Sequence, residues 1–138
     1  MHPRARQLIE TLALAPHPEG GWYRQVFKSV ERVTRHADGA DRSALTTIYF
    51  VLVEGTSSAW HRVQSDEVWH FYEGDPLELT IRNEPPVVLG PDHRVHVVPA
   101  HAWQSARPLG AYVLVGCTVG PGFEFEDFTM EEGESPGE

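Results

Sequence analysis

The chain has a single lysine, Lys28, among eleven basic residues against twenty acidic ones, for a net charge of −9. Such scarcity argues against a nucleic-acid partner, because phosphate binding needs clustered Lys and Arg. A single cysteine, Cys117, excludes a disulfide framework within one chain. It sits in the apolar stretch 111–119 and reads as a small buried hydrophobe. No apolar run approaches the roughly 18 residues of a membrane span. The opening Met1-His2-Pro3-Arg4-Ala5-Arg6 lacks the apolar centre of a signal peptide. The expected location is therefore the cytoplasm, away from membranes. A chain of 138 residues also leaves no room for two domains with separate cores.

The charge that is present is lopsided. Glu124, Glu126, Asp127, Glu131, Glu132, Glu134 and Glu138 supply −7, leaving −2 for residues 1–123. Residues 131–138 are expected to form a solvated, disordered acidic tail. At the other end, Leu8, Ile9 and Leu12 recur at helical spacing, which predicts a short amphipathic helix over 4–14 that Pro16 and Pro18 stop.

Between these ends the pattern is that of strands. Runs rich in β-branched and aromatic residues fall at 22–29, 46–53, 58–63, 67–73, 77–82, 94–99 and 111–119, separated by Gly and Pro clusters. Seven or more short strands at this spacing predict an all-β sandwich or barrel. Residues 30–43 are polar and unpatterned, and are expected to form a mobile loop. Gly20 and Gly21 are expected to turn at the barrel mouth.

The chemistry is concentrated in residues 55–74. Period-2 alternation puts His61 and Val63 on one face, and Glu67 follows after a turn, sharing its face with Trp69 and Phe71. An imidazole and a carboxylate on adjacent inward faces make an acid–base pair, half a metal site, or a hydrogen-bonded core pair. His70 and Tyr72 fall on the opposite face and are expected to pack there. For Arg24 a buried salt bridge and a clamp for a substrate anion are both open. His93, His96 and His101 lack compact ligand spacing and read as surface histidines.

The spacing of Gly55, His61, Glu67 and Gly74 resembles the first motif of the cupin superfamily, with Val63 where a second histidine would stand. Residues 99–104 resemble the second motif, with His101 in place of its glycine and Gln104 in place of its metal-binding histidine. More closely, residues 17–24, 47–52, 58–63, 65–77 and 116–128 resemble the RmlC-like Cupin_5 group, whose function is unknown. With the helix taking residues 1–16, the resemblance implies a cupin jelly-roll β-barrel in 17–130. It also implies a homodimer.

Metal-dependent cupins hold a divalent ion with three histidines and a glutamate. Only His61 and Glu67 are retained, with Gln104 as a weak oxygen donor, so no cofactor is expected. An ion, if held, would sit on those three. The resemblance and the residues together suggest a metal-free site, in which His61 exchanges a proton, Glu67 fixes its tautomer and Gln104 gives one positioning hydrogen bond. Trp69 and Phe71 would wall in a ring-shaped ligand such as a sugar or nucleotide, with Trp103 excluded from the cavity by its parity relative to Gln104. The expected activity is that of a sugar or nucleotide-sugar isomerase or epimerase, since residues 20–24 are similar to the opening of RmlC epimerases. The alternatives are a non-enzymatic ligand-binding cupin and, behind it, a metal-dependent dioxygenase.

Overall fold

The computed structural model describes residues 1–131. Helix α1 (Pro3–Thr11) begins with Pro3 in the first turn, where its missing N–H costs nothing, and with the His2 side chain accepting from the Arg4 amide. It ends where Ala13 enters the left-handed region at φ 54°, so it is shorter than the sequence pattern suggested. Thirteen strands follow among the described residues: β1 (Ala15–Pro16), β2 (Trp22–Lys28), β3 (Arg32–Thr34), β4 (Asp41–Ser43), β5 (Thr46–Val53), β6 (Ser58–Val63), β7 (Asp66–Gly74), β8 (Leu77–Ile81), β9 (Val87–Leu89), β10 (Val95–Val98), β11 (Gln104–Pro108), β12 (Tyr112–Gly120) and β13 (Phe128–Met130).

A six-stranded sheet, ordered β1-β2-β5-β12-β7-β10, faces a five-stranded sheet, ordered β13-β6-β11-β8-β9. Every pairing is antiparallel. The two sheets enclose one interior, which is the jelly-roll arrangement expected from the sequence. All the strand runs read from the sequence are present. The short β1, β3, β4, β9, β11 and β13 lie beyond them, since two to five residues carry too little alternation to stand out.

The interior changes character from one end to the other. Phe50, Leu52, Trp69, Phe71, Leu77, Leu79, Leu89, Val113 and Val115 pack one end solid. Further along the same strands, Thr46 and Ile48 of β5, Glu67 of β7, and Cys117 and Val119 of β12 line an open cavity. Outside, α1 lays Ala5 and Leu8 on Val51, Val53 and Leu114 of the six-stranded sheet. Arg4 is tied to Glu73 at 2.8 and 2.9 Å.

Two expectations need correction. Residues 30–43 are not a structureless loop: β3 and β4 pair as a hairpin. Its Arg35 and Arg42 are 6% and 9% exposed, and both grip Asp127 through pairs of hydrogen bonds at 2.8–3.1 Å. A partner ninety residues away supplies the order that local pattern does not. Glu131, counted with the acidic tail, is held by Arg82 at 2.7 Å and by the Trp60 carbonyl. Residues 132–138 lie outside the described residues.

Candidate functional site

The cavity has a volume of about 240 Å³. At its floor four ionisable side chains converge from three segments. His17 and Glu19 come from the turn before β2, His61 from β6 and Glu67 from β7. The turn is tight: Gly20 and Gly21 have φ 112° and 76°. A side chain at Gly20 would strike the Ser57 carbonyl and one at Gly21 the Val51 carbonyl. With the Ala59 amide donating to the Glu19 carbonyl at 2.8 Å, the turn is pinned against β6 and Glu19 is delivered beside Ser58.

A β-bulge prepares β6 for its part. Gln104 pairs with His61 but Ala106 pairs with Ser58, so the register slips by one residue. As a result Ser58 and His61, three residues apart, are both 1% exposed and both face inward. The same bulge brings the Ala59 carbonyl within 2.7 Å of His61 Nδ1. A carbonyl only accepts, so Nδ1 carries the proton and Nε2 keeps its lone pair. Nε2 lies 3.5 Å from Glu19 Oε2, which also accepts from the Ser58 hydroxyl.

Burial sets the protonation of this floor. It pushes Glu19 up to about 8, against a smaller opposing effect of the Ser58 hydrogen bond. It pushes His17 down to about 4, helped by the neighbouring His61 charge. Glu67 is likewise raised by burial, which outweighs the lowering by His61 and by hydrogen bonds from Gln104 and Cys117. His61 is lowered by burial despite Glu67 and the Ala59 carbonyl. At neutral pH, then, Glu19 is a protonated acid and His17 a free base. Cys117, raised well above its ordinary value by burial, stays a thiol.

The residues read from the sequence divide sharply. His61 and Glu67 line the cavity together, but Ala59 rather than Glu67 sets the His61 tautomer. Gln104 faces inward as expected, yet it is a spacer within the wall. Its Nε2 donates to Glu67 Oε1 at 2.8 Å and its Oε1 accepts from Trp69 Nε1 at 3.0 Å. Gln104, Trp69 and Phe71 are not among the described residues that line the cavity, so they are corrected from ligand-binding to supporting residues. Trp69 and Phe71 share Glu67's face but lie further along β7, at the packed end. Arg24 is neither a buried ion pair nor an anion clamp. It is exposed on the outer face of β2, and its guanidinium reaches the Leu12 carbonyl at 3.4 Å.

His70 and Tyr72 fall on the outer face, where Tyr72 meets Tyr49 and His70 nears Thr118. Trp103 is also outside, with Arg62 and Arg82 over its ring. His93 is exposed and His96 half-buried, and the two rings bond each other at 3.2 Å. Missed altogether were His17 and Glu19. They stand at i and i+2 directly before two glycines, and that compact His-x-Glu pair beside a forced turn was the available signal.

The metal implied by the sequence resemblance does not fit these residues. Val63 offers no donor, and both ends of the Gln104 amide are engaged. Among the described residues no group of three or more His, Cys, Asp or Glu side chains is arranged to hold an ion. Among the same residues, no helix is long and apolar enough to cross a membrane.

The model of the Cupin_5 family, described as Cupin superfamily (DUF985), matches residues 6–131. Of solved structures, a hypothetical protein from Leishmania major is 32% identical, with a TM-score of 0.85 over 92% of this chain and 86% of that one. A protein from Shewanella oneidensis is 31% identical, with a TM-score of 0.83 over 92% and 84%. KdgF from Halomonas sp. has the same fold at 16% identity and a TM-score of 0.61, over 78% of this chain and 86% of that one. No curated protein matches the chain.

Proposed function

The chain belongs to the Cupin_5 family of the cupin superfamily, and from that premise we propose that its half-hollow barrel binds a small molecule and moves protons on it, as an isomerase or epimerase does. One observation carries the reading. An imidazole with Nδ1 committed to a backbone carbonyl presents a basic Nε2 beside a carboxyl group that keeps its proton to about pH 8.

A base and an acid so placed can act on one guest without changing their combined charge. His61 Nε2 takes the proton from a C–H bond next to a carbonyl. The electron pair moves into an enol C=C, and the Glu19 proton passes to the carbonyl oxygen. If Glu19 takes back the oxygen's proton while the same carbon is reprotonated on its other face, the result is an epimer. If the former carbonyl carbon is reprotonated while Glu19 takes the proton of a hydroxyl on the neighbouring carbon, which becomes the new carbonyl, the result is an isomer. No oxidant, reductant or metal ion is consumed. Ser58 keeps the Glu19 carboxyl in place, and Gln104 and Cys117 hold Glu67 as a polar wall. At about 240 Å³ the cavity falls below the ~300–1,000 Å³ of drug-sized sites. That size favours a guest of monosaccharide size over a nucleotide-sugar.

The test is proton exchange in D2O, followed by NMR, over a panel of aldoses, ketoses and short hydroxy and keto acids. With the responsive compound, His61→Asn and Glu19→Gln should each slow deuterium incorporation about 100-fold. A drop of less than tenfold in both would defeat the proposal. A compound that raises Tm but emerges unexchanged would instead make the protein a carrier or sensor.

A further inference from the structure

Floor and mouth of the cavity differ in charge. The floor groups His17, Glu19, His61 and Glu67 are enclosed, and a full charge among them would lack water to solvate it. At the mouth stands Lys28, the last residue of β2 and the one lysine of the chain. Among the described residues lining the cavity, it is the only Lys or Arg. Its Nζ lies 2.9 Å from Glu124 Oε2, and Glu124 lines the cavity too, from the segment between β12 and β13. The lining also carries an apolar collar that includes Val63, Val119, Phe123 and Phe128.

The ion pair at the mouth is open to water, the two side chains being 46% and 37% exposed. Pairs this exposed contribute little to stability, so an arriving anion can displace Glu124 from Lys28 at little cost. One ammonium, with no arginine fork beside it in the lining, matches a carboxylate better than a phosphate dianion.

Resting on the acid–base reading of the floor, we propose that the ligand is a small carboxylic acid whose carboxylate is held at the mouth by Lys28 in place of Glu124, with its uncharged reactive end directed to His61 and Glu19. Lys28 is then the residue that fixes which end of the guest enters first. The collar accommodates the carbon skeleton between the two ends. A carboxylate sent to the floor would meet two carboxyl groups and no cation.

The test uses isothermal titration of the full chain with two matched pairs: 4-hydroxybenzoate against 4-hydroxybenzamide, and 4-oxopentanoate against its primary amide. In at least one pair the acid should bind about fivefold more tightly than the amide. Lys28→Met should erase that preference and leave the amide's affinity unchanged, whereas Glu124→Gln should widen it. Both residues are half exposed at the mouth, and unchanged Tm values would verify that the variants fold. Equal binding of acid and amide in both pairs, a preference that survives Lys28→Met, or no binding of either acid at millimolar concentration would each overturn the proposal. Affinity reports on Lys28, and deuterium exchange reports on the floor. Preference for 4-oxopentanoate without exchange of the C–H bonds beside its ketone defeats the acid–base reading alone; exchange without preference defeats the role of Lys28 alone.

Discussion

Two buried polar clusters in this small barrel treat charge in opposite ways. In the clamp, Asp127 is 2% exposed, yet two hydrogen bonds from each of Arg35 and Arg42 outweigh the upward push of burial and hold it at about 2. On the cavity floor, Glu19 has a hydroxyl and nearby imidazoles but no arginine, and burial lifts it to about 8. Burial alone therefore does not set ionisation; the partners do. The clamp holds its ions permanently and closes a hairpin against the C-terminal segment. The floor keeps Glu19 and His17 uncharged at neutral pH, which suits groups that exchange protons.

The sharpest way to break this contrast is Asp127→Ala. Two arginines would lose their shared carboxylate, and stability should fall by about 3–5 kcal/mol, read from the urea midpoint at constant m. A loss under about 1 kcal/mol would mean that Asp38, which also binds Arg35, and Glu126, which reaches Arg42, already suffice. A smaller effect is expected at the floor's wall. Gln104→Ala leaves the Trp69 N–H and Glu67 Oε1 without their partner and should cost about 1–3 kcal/mol. If Gln104 instead touched the ligand, the variant would keep its stability and lose affinity.

The smallest effect lies in the pH dependence, where the two clusters should differ in sign. Glu19, raised from 4.5 to about 8, binds more protons folded than unfolded, so its contribution is lost as pH climbs through that window. His17, lowered from 6.5 to about 4, gives the reverse slope between those values. The two slopes oppose each other below about 6.5, and above it Glu19 remains. The wild-type Tm should decline by a few degrees from pH 6.5 to 8, and Glu19→Gln should flatten that decline. Asp127, lowered from 3.8 to about 2, contributes fully above 3.8 and loses its contribution as pH falls through about 2. A Tm profile of Glu19→Gln that matches wild type above pH 6.5 would remove Glu19 from the account.

The fold was legible because its signal is local and repeated. Alternation in β7 marks which side chains face inward, β-branched and aromatic runs mark β5 and β12, and glycine and proline mark where strands stop. The site was half legible for the same reason. His61 and Glu67 lie within clear strands, so their face could be read. His17 and Glu19 lie in a turn with no period, and only the contact with β6 directs Glu19 inward. The hairpin at 30–43 was hidden likewise, because its order comes from Asp127 at the far end of the chain.

By itself, then, the sequence determined an all-β sandwich or barrel, the inward faces of its strands and one imidazole–carboxyl pair, since a period of two is written in neighbouring residues; the jelly roll was implied by the family resemblance. The tertiary structure decided depth. Glu67, Trp69 and Phe71 share one face, yet the first meets a cavity and the others a solid core. Which end of the barrel stays hollow depends on how two sheets and a turn fill a common volume, and no single strand encodes that.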